Sequence, residues 1–187
     1  MISDYLVDKM LDYHVIAEDD RIIYLYGIKE GLTILQNIII SIVLGILFNN
    51  LFQTFIFLIA YIPLRSFAGG YHAASVKKCM VYSLILIILL EYYFVFSYLL
   101  EYRYLFPALL IAMGVIFKYA PLQSENKPLS FKENRCYARK TKRILVIEGG
   151  IVVGAIILKL PSVVHGISIA LIVEGVLLMV GLKKAKG

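Results

Sequence analysis

Residues 79–100 read CMVYSLILIILLEYYFVFSYLL and contain one charged residue, Glu91. A helix of about 20 apolar residues is long enough to cross the ~30 Å hydrocarbon core of a bilayer. Backbone N–H and C=O groups find no water there, so a single segment that spans the core is helical. The run therefore predicts a transmembrane helix, and with it an all-α integral membrane fold.

The rest of the chain is also rich in apolar segments. It has 187 residues, of which 60% are hydrophobic and 17% charged, whereas soluble domains are roughly 45–50% apolar and ~25% charged. Because no polar linker divides the chain, residues 1–187 are predicted to form one membrane-embedded domain, with residues 32–182 as its transmembrane bundle. About six transmembrane helices are predicted, at residues 32–48, 51–64, 79–100, 104–120, 144–160 and 162–182.

Residues 1–30 are predicted to form a cytoplasmic amphipathic segment. Within residues 2–15, Asp4, Asp8 and Asp12 recur every four residues on one side of a helix. This pattern is typical of a short helix that lies on the membrane surface or against the bundle, and a peptide-docking role is the alternative. The apolar side chains on the other side are Leu6, Val7, Met10 and Tyr13.

The positive charges are distributed unevenly along the chain, whose formal net charge is +6. With the N-terminus in the cytoplasm and six crossings, 17 of the 19 Lys and Arg residues lie on the cytoplasmic side. Only Arg103 and Lys159 lie outside, as the positive-inside rule predicts. Both termini are therefore predicted to be cytoplasmic. The lipid bilayer explains the basic balance, and no nucleic-acid partner is expected.

Polar and reactive residues concentrate between the second and third predicted spans, where residues 65–79 read RSFAGGYHAASVKKC. A cysteine is a nucleophile as its thiolate, and a nearby neutral histidine can take the thiol proton. Cys79 and His72 are thus the candidate nucleophile and general base or acid. Seven positions on one regular helix correspond to about 10.5 Å of rise, too far for proton transfer. The pair therefore requires the chain to bend between them.

Gly69 and Gly70 supply backbone freedom for this bend, and Ser75 is a candidate N-cap for the third span. A helix that begins near Ser75 places Cys79 in its first turn, where the helix dipole favours a negatively charged sulfur, and Arg65 adds positive potential. A plain turn between spans is the other interpretation that these residues leave open. No further metal ligands cluster with them, so neither a metal nor a cofactor is expected.

This motif resembles that of a known family. Gly-Gly-x-His-x6-Cys at residues 69–79, with Arg65 before it, is similar to the signature of the accessory gene regulator protein B (AgrB) family, membrane cysteine endopeptidases of peptide quorum sensing in Gram-positive bacteria. The N-terminal amphipathic segment and the proline-containing stretch at residues 121–128 also resemble this family. The resemblance implies a multi-pass protein of the plasma membrane, with its active site on the cytoplasmic side, and suggests a homodimer.

The resemblance also implies a reaction. Cys79 would attack a peptide bond near the C-terminal part of an AgrD-like precursor, with His72 as general base and then acid. After the tail leaves, an internal cysteine or serine of the precursor would capture the acyl-thioester as a thiolactone or lactone. Water excluded from a membrane-shielded site would not compete for the thioester.

The connection between the fourth and fifth predicted spans is strongly basic in residues 131–143. In one interpretation these side chains orient the protein and contact anionic lipids. In the other they hold an acidic peptide segment by charge complementarity. The candidate substrate-binding residues are Lys132, Arg135, Arg139, Lys140 and Arg143.

Three glutamates, Glu91, Glu148 and Glu174, lie inside predicted spans. Ionisable groups in such places usually face the bundle interior or a polar cavity. One interpretation is a protonated or hydrogen-bonded contact between helices. The other supports an alternative from another class, a small peptide transporter or exporter in which the carboxylates line a polar route. A membrane adaptor that recruits a partner through its basic connection is a third possibility. The motif favours the enzyme because neither alternative needs a nucleophile.

Overall fold

The computed structural model describes residues 2–71, 76–97, 99–123 and 130–186, and this part of the chain is almost entirely helical. Short 3-10 turns at Glu18–Asp20 and Tyr102–Leu105 precede the second and fifth α-helices. The described residues form no strand, so the predicted all-α class is confirmed. The helices are α1 (Ile2–Asp12), α2 (Arg21–Leu47), α3 (Leu51–Ala68), α4 (Val76–Ser97), α5 (Phe106–Tyr119), α6 (Phe131–Ile157) and α7 (Pro161–Lys186).

Each of the six predicted spans overlaps one helix, from α2 to α7. Helices α2, α3, α4 and α7 are long and apolar enough to cross a membrane. Helix α5 has 14 residues, which is about 21 Å of helix, and α6 joins the basic residues 131–143 to an apolar second half. That α5 and α6 also cross, and that both termini are cytoplasmic, stay predictions.

Helix α3 is longer than the sequence indicates. It continues four residues beyond the predicted span at 51–64 and ends at Ala68. Its 18 residues correspond to about 27 Å, close to the thickness of the hydrocarbon core. The extension places Arg65 on the helix, one turn after Tyr61, and not in the loop that follows.

The helices divide into two compact units, residues 1–41 and residues 42–187. In the N-terminal unit, α1 is anchored to the beginning of α2 by its acidic side. Asp8 pairs with Arg21 at 2.8 Å, and Asp4 lies 3.9 Å from Lys29. Val7 is fully buried. The predicted helix is thus present, but it ends at Asp12, before Tyr13.

In the second unit, α7 is the central helix and packs against α3, α5 and α6. Ala170, Leu171 and Leu178 on α7 have no exposed surface. Gly175 allows close approach to α5, because a Cβ atom there would lie 2.8 Å from the Cβ atom of Ala112. Small residues of this kind let membrane helices pack backbone to backbone.

Helices α3, α5 and α7 run in one direction in this unit, and α4 and α6 run in the other. At one end, Leu122 after α5 donates a backbone hydrogen bond to the last residue of α3, and Tyr137 near the start of α6 packs on Phe67. At the opposite end, His165 near the start of α7 hydrogen-bonds Tyr93 near the end of α4. We call the end where α3 finishes the motif end.

Candidate active site

The chain turns sharply between α3 and α4. Helix α3 finishes at Ala68, and Gly69 and Gly70 follow with φ angles of +74° and +124°. Residues with side chains rarely adopt these angles. Helix α4 begins at Val76, so Cys79 lies in its first turn, as predicted. The regular helix is therefore interrupted at residues 69–71, before His72. The bend between His72 and Cys79 that their reaction requires stays a prediction.

His72 and Ser75 lie outside the described residues. The distance between the His72 ring and the Cys79 thiol stays a prediction, and so does the N-cap role of Ser75. The structure does describe Gly69, Gly70 and Tyr71, which lead directly to His72 and which we call the 69–71 turn.

Backbone contacts fix the 69–71 turn against two other parts of the bundle. The Leu122 amide donates to the Ala68 carbonyl at 2.9 Å, and Gly69 pairs with Leu122 in a short parallel bridge. The Tyr71 amide donates to the carbonyl of Leu177 on α7 at 3.1 Å. A side chain at Gly181 would crowd the Tyr71 nitrogen, at 3.0 Å from the added Cβ atom. The turn thus rests on the surface of α7.

Arg65 holds the same turn from the side of α3. Its guanidinium donates hydrogen bonds from Nη1 to the Gly69 carbonyl and from Nη2 to the Tyr71 carbonyl, both at 2.5 Å. Nη1 also lies 3.6 Å from Oε2 of Glu174, whose side chain is fully buried. The planar fork of arginine suits such simultaneous contacts. The sequence predicts that Arg65 adds positive potential. The structure shows, in addition, that its guanidinium binds two carbonyls of the turn.

The thiol of Cys79 is free and half-buried. Tyr82 lies three residues further along α4, and its ring centroid is 6.4 Å from that of Tyr71. Residues three apart share one face of a helix, so the face of α4 that carries Cys79 is turned toward the 69–71 turn. Tyr61 on α3 lies near both Arg65 and Cys79.

The three glutamates of the predicted spans separate into two groups. Glu174 and Glu148 are both buried and interact electrostatically, and Glu174 also faces Arg65. Glu91 instead accepts a hydrogen bond of 2.7 Å from Thr54. Thr54 and Arg65 are eleven residues apart on α3, about 16 Å of helix. The carboxylates therefore occupy two levels of the bundle.

The predicted basic residues lie on the first half of α6. Ser130 and Glu133 form a capping box at its start, which satisfies the first backbone amides of the helix. Lys140 lies over the ring of Phe67, 4.6 Å from its centroid, which brings this half of α6 to the motif end. The five candidates, all exposed, are Lys132, Arg135, Arg139, Lys140 and Arg143.

Several residues of this site were not recognised from sequence. Tyr71 occupies the variable position of the motif, and Glu174 stood out only as a charge inside a span. Leu122 and Gly181 carry no local signal, because their contacts depend on how α5 and α7 pack. The signal that could have found Glu174 is the cost of an unpaired charge inside a span, which favours a partner of opposite charge such as Arg65.

The comparison with known families shows which family the chain belongs to. The model of the family described as Accessory gene regulator B matches residues 2–180, nearly the whole chain. The chain belongs to the AgrB family. Membership supports a role in accessory gene regulator peptide processing and implies a peptide precursor as partner.

Two curated AgrB relatives come from Clostridium perfringens. AgrB-like protein 2 of strain 13 / Type A is 27% identical over 156 residues, which cover 78% of this chain and 72% of the relative. The AgrB-like protein of strain SM101 / Type A is 27% identical over 132 residues, or 65% of this chain and 60% of the relative. No solved structure matches the chain.

Proposed function

We propose that this AgrB protein is a membrane cysteine endopeptidase that removes the C-terminal tail of an AgrD-like precursor and promotes its cyclisation. The enzyme would act in the plasma membrane of a Gram-positive bacterium. The motif end would face the cytoplasm, where a newly made precursor arrives. Four helices that are long and apolar enough to cross a membrane support this location.

The observation that carries this proposal is the contact between Tyr71 and Tyr82. The residue before His72 and the residue one turn after Cys79 pack together, with ring centroids 6.4 Å apart. This spacing is within the range of favourable aromatic pairs. It supports a site in which the His72 segment and the Cys79 face of α4 approach each other.

In the proposed first step, the Cys79 sulfur attacks the carbonyl carbon of the scissile peptide bond. His72 takes the thiol proton and then gives it to the leaving amine, so the C–N bond breaks and the tail departs with a free amino group. The N-terminal part of the precursor stays on Cys79 as a thioester. The N-terminal end of α4 favours the negative charge of the attacking sulfur.

In the second step, a cysteine or serine side chain inside the precursor attacks the thioester carbonyl. Its proton passes through His72 to the departing Cys79 sulfur as the C–S bond to the enzyme breaks. The product is a thiolactone or a lactone, and the enzyme returns to its starting state. A site shielded by the membrane disfavours hydrolysis of the thioester by water.

The basic half of α6 is proposed to receive an acidic part of the precursor. Its arginines and lysines are exposed, and Lys140 lies over the ring of Phe67 at the motif end. Opposite charges on two partners speed their encounter and set their register. A homodimer is proposed as well, on the family resemblance.

The proposal is tested with purified enzyme in vesicles and a synthetic precursor. We expect Cys79→Ala to abolish tail release and His72→Ala to reduce it at least about 100-fold, the size of a general base contribution. Mass spectrometry of the wild-type reaction should find the N-terminal precursor fragment attached to Cys79.

Cys136→Ser is the matched control, because Cys136 is also free and half-buried but lies on α6. We expect it to keep wild-type activity. Release of the tail at the normal rate by Cys79→Ala would rule out the proposed nucleophile.

A further inference from the structure

We infer that Glu174 is a positioning residue for the proposed acyl transfer: it holds the Arg65 guanidinium, which in turn holds the 69–71 turn in front of His72. The inference rests on the proposed function. The contacts that support it join α3, the 69–71 turn, α4 and α7, and all of them are between described residues.

Among the described residues, Glu174 forms one ion pair, with Arg65. Its side chain is fully buried, and Oε2 lies 3.6 Å from Nη1 of Arg65. Neither carboxylate oxygen has a hydrogen-bond partner within the described structure. A buried charge is stable when it is paired. The carboxylate therefore draws the guanidinium toward α7.

The position of Arg65 decides the shape of the turn. Nη1 and Nη2 bond the carbonyls of Gly69 and Tyr71, which lie on either side of Gly70. An arginine side chain near a membrane surface can otherwise extend toward water and lipid head groups. Without Glu174 to hold it, the guanidinium is free to leave these two carbonyls.

Tyr71 transmits this effect to the reactive residues. Its amide bonds Leu177, one turn after Glu174 on α7, and its ring packs on Tyr82. Release of the turn by Arg65 would disturb both contacts and shift the residue that follows, His72. A displacement of about 1 Å at a reacting group can cost about 100-fold in rate.

Glu91 provides a matched control within the same bundle. Like Glu174 it is a fully buried glutamate on an apolar helix. Its carboxylate accepts a hydrogen bond from Thr54 and is remote from the 69–71 turn. Glu91→Gln therefore removes an intramembrane carboxylate without touching the Arg65 contacts.

Tail release is measured for Glu174→Gln and Glu91→Gln, with thermal unfolding as the check on folding. We expect Glu174→Gln to lower kcat at least about tenfold with KM within about twofold, since a positioning defect acts on the chemical step. Glu91→Gln should keep kcat within about threefold. Equal losses in both variants, or a change in KM alone, would overturn the inference.

A double-mutant cycle tests whether Glu174 acts through Arg65. Arg65→Lys keeps the positive charge but removes the planar guanidinium, which donates from two nitrogens to two carbonyls at once. The variant that combines Arg65→Lys with Glu174→Gln should be no slower than Arg65→Lys alone, within about twofold, because coupled residues are not additive. Additive losses would mean that Glu174 acts independently of Arg65, and would overturn the inference.

Hydrogen exchange of the Tyr71 amide gives a readout that needs no catalysis. We expect at least about tenfold faster exchange in Glu174→Gln than in the wild type or in Glu91→Gln, because the Leu177 contact opens more often. Unchanged exchange would overturn the inference. Failure of the proposed function would instead appear as tail release by Cys79→Ala, so the two failures are distinguishable.

Discussion

Gly70 shows how closely the residues around the 69–71 turn are fitted. Its φ angle is +124°, and an added Cβ atom would overlap Nη1 of Arg65. The positive φ angle of Gly70 turns the carbonyls of its two neighbours, Gly69 and Tyr71, toward the Arg65 guanidinium. Arg65 donates hydrogen bonds to both of these carbonyls. A methyl group at this position would displace the guanidinium or change the turn.

We predict that Gly70→Ala lowers tail release at least about 100-fold, the cost of a small displacement at a reacting centre, while the protein still inserts in the membrane. Gly114→Ala is the control, because nothing lies within 4 Å of a Cβ atom at Gly114 on α5. That control should keep full activity and gain up to about 1 kcal/mol in helix stability. Comparable losses from both substitutions would contradict the role assigned to Gly70. Rates with the synthetic precursor and unfolding temperatures are the measurements.

At the scale of single elements, α6 combines two environments in one continuous helix. Residues 131–143 are basic, and the apolar second half carries Leu145, Val152 and Ala155 into the core. Lys140 packs on Phe67, so it contributes to the contact between α3 and α6 as well as to the charge. Arg139 and Arg143 lie four residues apart and are exposed, which makes them the better probes of precursor binding.

We predict that Arg139→Glu with Arg143→Glu raises KM for the precursor about 2- to 30-fold, since each exposed ion pair contributes roughly 0.2–1 kcal/mol. The effect should shrink at high salt, which screens exposed charges. kcat should change little, because these residues are not part of the turn at Arg65. Initial rates at varied precursor concentration and ionic strength provide the measurement.

The charge-conserving variant Arg139→Lys with Arg143→Lys is the control for this prediction. It should keep KM within about twofold if charge, and not guanidinium geometry, attracts the precursor. A loss of kcat in the glutamate variant with unchanged KM would argue that the basic half of α6 supports folding or insertion instead.

At the scale of the whole molecule, the question is how often the chain crosses the membrane. Four crossings by α2, α3, α4 and α7 would leave α5 and α6 outside, together with the eight Lys and Arg residues between positions 118 and 143. Six crossings return those residues to the cytoplasm. The contact of Leu122 with the last residue of α3 supports six, because it places the connection between α5 and α6 at the motif end.

Position 123 distinguishes these topologies. In a variant whose two native cysteines are replaced by serine, we expect Arg103→Cys to react with an impermeant maleimide on intact cells. Gln123→Cys should react only after permeabilisation, as six crossings and the positive-inside rule require. Lys183→Cys is the reference, since it is cytoplasmic in both arrangements. Labelling of position 123 on intact cells would exclude the six-crossing arrangement.

Much of this protein follows from local sequence. In the hydrocarbon core the backbone N–H and C=O groups of a single spanning segment bond to one another, which requires a helix. The apolar runs therefore predicted the all-α class and the approximate positions of the helices. The paired glycines predicted irregular backbone ahead of α4, which the structure shows at residues 69–71, and the position of Ser75 predicted Cys79 in the first turn of that helix. The similarity of the motif to the AgrB family was readable from the same residues.

What only the tertiary structure decided is which groups meet at the motif end. Arg65 and Glu174 are more than 100 positions apart in the sequence, and their pairing depends on how α3 packs beside α7. The same holds for Leu122 on Ala68 and for Tyr71 on Leu177 and Tyr82. Apolar helices of similar composition can pack in several orders, because dispersion and burial are not directional. The buried polar contacts are directional, and these fix the turn that precedes His72.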